Sequence, residues 1–177
     1  MSDTPRPSFA ERLAASQAEG GMHHQFSKMV GKWAGQAKTY FEPNVCGDDS
    51  PIEGEFRIEI GGHFLFHEYS GPHCGQTMHG LEIIGHNLDL GGLQMSWVNN
   101  CHTMSQIMQF EGEMPSLPNP FGLSNTFKHN PDHPEWGWRV VYDLKSPDQL
   151  SIQHFIIPPA GEGDECLAID IDYRRQA

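Results

Sequence analysis

After Val30 no stretch of this chain is both long enough and periodic enough for a helix. This constrains the fold more than any other feature, because parallel sheets need helical crossovers and are thereby excluded. In place of helices, short runs of mixed apolar and polar residues alternate with turn residues. Ten runs read as strands: 33–41, 52–60, 63–70, 77–86, 93–99, 102–111, 121–128, 136–144, 150–157 and 166–174. Gly61-Gly62 and Gly91-Gly92 supply the positive φ angles that tight hairpins demand. Ser146-Pro147-Asp148-Gln149 is turn chemistry. Longer Pro-rich connections are expected at 42–51, 112–120, 130–135 and 158–165.

Ten sequential strands with short links imply a meander. Left flat, it would expose two sheet edges, and closure removes both, so an all-β, antiparallel, up-and-down barrel is expected. Strand faces are mixed: 93–99 sets Leu93, Met95, Trp97 and Asn99 against Gln94, Ser96 and Val98. A dry sandwich core would alternate more cleanly. The mixture suits a barrel too wide for side chains to fill, with room for water or a ligand. Residues 1–7 are expected to lack structure. Ser8, with Glu11 three residues on, forms a capping box for a helix starting at Phe9 that Gly20-Gly21 ends. Met22, Phe26, Met29 and Val30 recur at helical spacing over 22–30. Residues 1–32 thus read as a helical segment of the same domain as a barrel over 33–177, with the helices closing one end.

At 177 residues the chain fits one ordinary domain and needs no staple to fold. Its net charge of −12 repels phosphate backbones, and Arg174-Arg175 is its only basic dipeptide. Nucleic-acid partners and anionic membranes are therefore excluded as expectations. No run reaches the length of a membrane span. Cys46, Cys74, Cys101 and Cys166 form no C-x-x-C pair, and the first eighteen residues lack a signal-peptide pattern, so a cytoplasmic protein with reduced thiols is expected. Pairing of two copies through exposed faces is open to such a barrel, although no stretch marks an interface.

Gly31-Lys32-Trp33-Ala34-Gly35 resembles the Gly-x-Trp-x-Gly opening of calycin-type, lipocalin-like barrels. Several further motifs resemble a bacterial family of unknown function, the domain-of-unknown-function family 1579. They are Glu42-Pro43, Asp49-Ser50-Pro51-Ile52-Glu53-Gly54, Gly62-x-Phe64-x-x-His67-Glu68-Tyr69, Gly85-His86-Asn87, Trp97-Val98-Asn99 with His102, Trp136-Gly137-Trp138-Arg139, and Ile171-Asp172-Tyr173-Arg174-Arg175. The resemblance spans about Met29 to Arg175 and implies a calycin-like barrel with no established activity. That family's pattern carries Tyr where His86 stands and Asp where Asn99 stands, so a carboxylate acid or base is missing from the latter position here. The barrel type also resembles the haem-binding nitrobindins, in which a histidine near the C-terminus holds the iron. Residues 166–174 contain no histidine, which disfavours haem held that way; His154 on the preceding strand is the remaining axial candidate.

Histidines are numerous, and His63, His67, His79, His86, His102 and His154 fall on expected strands. No His-x-His or His-Glu-x-x-His spacing joins any of them locally, so no metal set and no cofactor is assigned. His67 and His102 are the strongest single candidates, because both lie in family-like motifs. Asn99 and His102 flank one turn and are expected to share a barrel rim, where they could orient a carbonyl or carboxylate. Tyr69 shares a strand face with His67, while Glu68 faces the other way. Trp97, Trp138 and His154 complete the ligand-binding set. The leading reading is a small-molecule binder for an amphipathic or aromatic ligand. Beside it stand an enzyme using inward histidines for acid–base chemistry, and a histidine-coordinated metal or haem protein.

Overall fold

A computed structural model describes residues 6–103, 105–128 and 130–177. For 1–5, the expected unstructured start lies outside the described residues. Two helices, α1 (Phe9–Gln17) and α2 (Met22–Met29), precede ten strands. These are β1 (Gly31–Glu42), β2 (Val45–Glu59), β3 (Phe64–His73), β4 (Gln76–Asn87), β5 (Gly92–Asn99), β6 (Met108–Glu113), β7 (Phe121–Phe127), β8 (Trp136–Ser146), β9 (Gln149–Ile157) and β10 (Cys166–Arg175). Each strand pairs antiparallel with the next, and β1 pairs with β10 from Trp33↔Arg175 to Thr39↔Ile169, closing the barrel. The expected capping box forms, with the Ser8 hydroxyl accepting from the Glu11 amide while the Glu11 carboxylate accepts from the Ser8 amide.

Two expected boundaries change, each for a local reason. The long connection at 42–51 is a tight turn at Pro43-Asn44, and β2 begins at Val45. Asn44 has a φ of 64°, so the pair meets the needs of a type II turn: proline first, then a residue tolerant of the left-handed region. His102 is not on a strand. The Asn99 side-chain oxygen accepts from the amides of Cys101, His102 and Thr103. This side-chain turn outcompetes ladder pairing, and β6 starts only at Met108.

The helices close one end. Met22, Phe26 and Met29 are buried in the barrel core, and the Phe26 ring lies 6.0 Å from that of Phe121 at the start of β7. Arg175 fastens the exit of α2, donating to the carbonyls of Lys28 and Val30 and lying 4.2 Å over the Trp33 ring. The Ser16 hydroxyl sits 2.8 Å from His23 Nδ1 and 3.0 Å from His86 Nδ1. His23 Nε2 faces the His63 carbonyl and so carries the proton, which leaves Nδ1 to accept from Ser16. The serine oxygen then accepts from His86 and from the His23 amide. With both lone pairs committed it is a clip joining α1, α2 and β4, not a nucleophile. Among the described residues, the other end carries the turns at 43–44 and 74–75 and the loops at 100–103, 105–107, 130–135 and 158–165, and no helix covers it.

The interior is not the hollow that the mixed strand faces suggested. Ten strands enclose a wide lumen, and large rings fill it: Trp33, Trp97, Tyr142, Tyr173, Phe56 and Phe110 are all at most 1% exposed. The polar residues on the inward faces are buried, His67 pairing with Glu82 and Asn99 with Tyr69. What space remains is a crevice of about 10 Å³ at the uncovered end, bordered by Thr39, His73, Trp97, His102 and His154. That is room for about one water. Two glycines make the packing feasible. A Cβ at Gly80 would lie 2.1 Å from the Tyr69 ring, and one at Gly54 would lie 2.6 Å from the Tyr173 hydroxyl and 2.9 Å from His67 Nε2.

Tyr69 cannot yield to a methyl group at residue 80, because its hydroxyl is held by Trp97 and Asn99. Gly80→Ala should therefore destabilise the fold by about 2 kcal/mol. Urea unfolding measures it, and an unchanged midpoint would show the ring is not so confined.

Candidate functional site

Glu82 stands at the centre of the barrel. It occupies an inward position of β4 and is 1% exposed, which a carboxylate tolerates only with charged or donor partners. Its Oε2 accepts from His67 Nδ1 at 2.6 Å and from the Tyr142 hydroxyl at 2.8 Å. Burial alone would raise the Glu82 pKa, but His67 beside it and the Tyr142 hydrogen bond outweigh burial and bring it below the usual value. An ionised Glu82 fixes the proton on His67 Nδ1 and turns Nε2 toward the Tyr173 hydroxyl, 3.4 Å away. The Phe56 ring stacks on the imidazole with centroids 4.0 Å apart. Burial and the nearby carboxylate push both Tyr142 and Tyr173 well up, so they stay neutral donors.

A second polar layer lies between this pair and the uncovered end. The Tyr69 hydroxyl accepts from Trp97 Nε1 at 2.8 Å and from Asn99 Nδ2 at 3.1 Å. The same Asn99 amide reaches His102 Nδ1 at 3.0 Å, so the expected rim pair forms. The opposite ring nitrogen, His102 Nε2, is buried with no partner among the described residues. Burial lowers the His102 pKa to about 4, so the ring is neutral near pH 7. On the far wall Trp138 Nε1 donates to His154 Nδ1 at 3.1 Å, and the Trp97 ring lies 5.2 Å from that of His154.

The structure therefore brings the residues singled out in the sequence into one stack. His67, Tyr69, Trp97, Asn99, Trp138 and His154 point inward, and His102 folds over them from its loop. Glu68 faces out and pairs with Arg57, as the strand parity required. Sequence reasoning missed Glu82, Tyr142, Tyr173 and Phe56. The usable signal was Glu82 itself, a carboxylate on the strand face carrying Met78, Gly80 and Ile84. Haem does not fit the interior. His154 Nδ1 already accepts from Trp138, and the crevice could not take a macrocycle. A concavity of about 980 Å³ lies on the outer wall of β1–β5 and is wide open. Within it Arg57 pairs with Glu55 and Glu68.

Comparison with known proteins adds three findings. The family model described as "Protein of unknown function (DUF1579)" matches residues 18–175. No curated protein matches the chain. Among solved structures, the S-type phycobiliprotein lyase CPES from Guillardia theta superposes with a TM-score of 0.54 at 10% identity, covering 97% of this chain and 99% of that one. At that identity the likeness concerns the fold. Among the described residues no helix is long and apolar enough to cross a membrane.

Two predictions follow from the buried groups. Burial lowers the His154 pKa to about 4, the pull of Glu82 only partly opposing it. The unfolded chain takes up that proton near pH 6.5 and the folded chain does not, so stability is lost as pH falls from about 6.5 to about 4, by roughly 3 kcal/mol in all. His154→Gln keeps an acceptor for Trp138 and removes the titration. Its stability should fall less steeply by up to about 1.4 kcal/mol per pH unit in urea melts from pH 6.5 to 4.5, and parallel curves would contradict the assignment. Glu82→Gln should cost about 3 kcal/mol, since it strips His67 of its charged partner, while His67→Leu with Glu82→Leu should cost less than that single change. A double variant weaker than Glu82→Gln would refute the coupling.

Proposed function

The chain belongs to the DUF1579 family of proteins of unknown function, and from that premise we propose that it binds a small amphipathic or aromatic molecule at the uncovered end of its barrel. One observation carries this reading. The inward aromatic and polar side chains converge under the end that the helices leave open, and there His102 presents a buried ring nitrogen with no partner. A planar ligand would stack against Trp97 and Trp138 and would offer a donor or acceptor to His102 and Asn99. The crevice of about 10 Å³ holds no such molecule as folded, so binding requires His102 to swing off Asn99. That movement breaks the Asn99–His102 side-chain hydrogen bond and gives up the contacts of the His102 ring with Trp97 and His73, which a stacked ligand would have to replace. That a barrel of the same fold is a phycobiliprotein lyase supports a role in handling small molecules.

An acid–base enzyme is the second reading, and the His67–Glu82 pair is what favours it, a histidine oriented by a carboxylate at 2.6 Å. Against it, His67 is 1% exposed and its ring is enclosed by Phe56, Tyr69 and Tyr173. A substrate would have to displace that packing to reach Nε2.

Anilinonaphthalene sulfonate, an aromatic anion, is a suitable first probe. It should bind saturably and quench the emission of Trp97 and Trp138, and His102→Ala should change its affinity about tenfold, the worth of one hydrogen bond to a buried group. Ile60→Ala, on an exposed turn, should leave the affinity unchanged. Equal affinity in the wild-type and His102→Ala proteins would move the site elsewhere.

A further inference from the structure

Three residues that are remote from the helices come together at the uncovered rim. Asp48 lies on β2, His73 ends β3, and Cys74 opens the two-residue turn into β4. One carboxylate oxygen, one imidazole nitrogen and the thiol sulfur all lie within 4.8 Å of one another. We propose that Asp48, His73 and Cys74 form a binding site for one divalent transition-metal ion of the zinc class. This proposal stands independently of the organic ligand argued above.

The donor set selects the ion. A thiolate with an imidazole suits borderline and soft cations, and excludes calcium and magnesium, which take oxygen ligands. Around tetrahedral zinc, such ligand atoms sit about 3.5 Å apart, so rotamer adjustments of about 1 Å would close the set. The carboxylate is already held for this purpose. Asp48 Oδ1 accepts from the Cys74 amide at 3.1 Å, which directs Oδ2 toward His73 Nδ1, 3.6 Å away. Burial works to raise the Asp48 pKa, but the Cys74 amide, the Ser50 side chain and His73 hold it below the usual value, so the group is an anion at neutral pH. The thiol is free, as are the other three. Three protein ligands with a fourth position toward the crevice is the layout of an open zinc site. On binding, the Cys74 proton passes to the buffer, so affinity should rise with pH.

The test uses the whole chain, untagged and kept reduced, titrated with cobalt(II) and then zinc(II) without any organic probe. The wild type should take up one cobalt(II) with a near-ultraviolet thiolate-to-metal absorption band, and zinc(II) should displace it. Cys74→Ser should abolish the band, and His73→Gln should weaken zinc(II) binding at least tenfold. Both residues sit on the rim, and an unchanged far-ultraviolet circular dichroism spectrum confirms that each variant folds. Binding of less than one equivalent, or a band that survives in Cys74→Ser, would overturn the site. Because no organic molecule is present, failure here leaves the ligand-binding reading standing, and failure of the dye titration leaves this one standing.

Discussion

The pairing of β1 with β10 is the contact on which everything else depends. Without it the ten strands form an open sheet, with alternate side chains facing two solvents. With it, one parity of every strand faces a shared interior. The wide lumen of ten strands is filled by aliphatic side chains together with large rings, and the tryptophan and tyrosine rings among them carry polar atoms that must be satisfied. The His67–Glu82–Tyr142 network and the Tyr69–Trp97–Asn99 network are the result. A buried carboxylate–histidine hydrogen bond contributes little net stability against an apolar filling, but it penalises any register that separates its partners. His67 and Glu82 are directly opposite across β3 and β4, so a slip of one strand by one residue would turn its member of the pair outward and leave the other buried without its partner.

Much of the fold was legible, because it is encoded locally. Turn glycines, strand alternation and the Ser8–Glu11 box placed both helices and all ten strands, and the family-like motifs agreed with them. The start of β2 was obscured because Glu42, Pro43 and the acidic run after it read as a loop, whereas Asn44 takes the left-handed conformation that lets the hairpin close at once. The displacement of His102 was obscured by Asn99, whose side chain satisfies three backbone amides and removes them from the ladder. The site was only half legible. His67, Tyr69, Trp97, Asn99, Trp138 and His154 could be assigned an inward face from strand parity. Their partners could not, since Tyr142 and Tyr173 reach Glu82 and His67 across the lumen, and a contact of that kind depends on closure. The same limit applies to Asp48, His73 and Cys74, which are joined by two hairpins at one rim.

The two ends of the barrel divide its roles. At the helix end, Met22, Phe26 and Met29, the Ser16 clip and Arg175 seal the core. At the other end the lining is polar and aromatic, the covering is a turn held by Asn99, and metal-ligating side chains gather on the rim. This asymmetry, rather than any motif, is why binding is assigned to that end. The likeness to a phycobiliprotein lyase concerns the fold, and the residues at the uncovered end are this chain's own.

The most direct test is a crystal structure of the protein purified from its own cells without refolding. The account predicts residual density at the uncovered end, against Trp97 and Trp138, with His102 turned away from Asn99. A bound molecule on the outer wall or at the helix end, with the Asn99–His102 hydrogen bond intact, would contradict it.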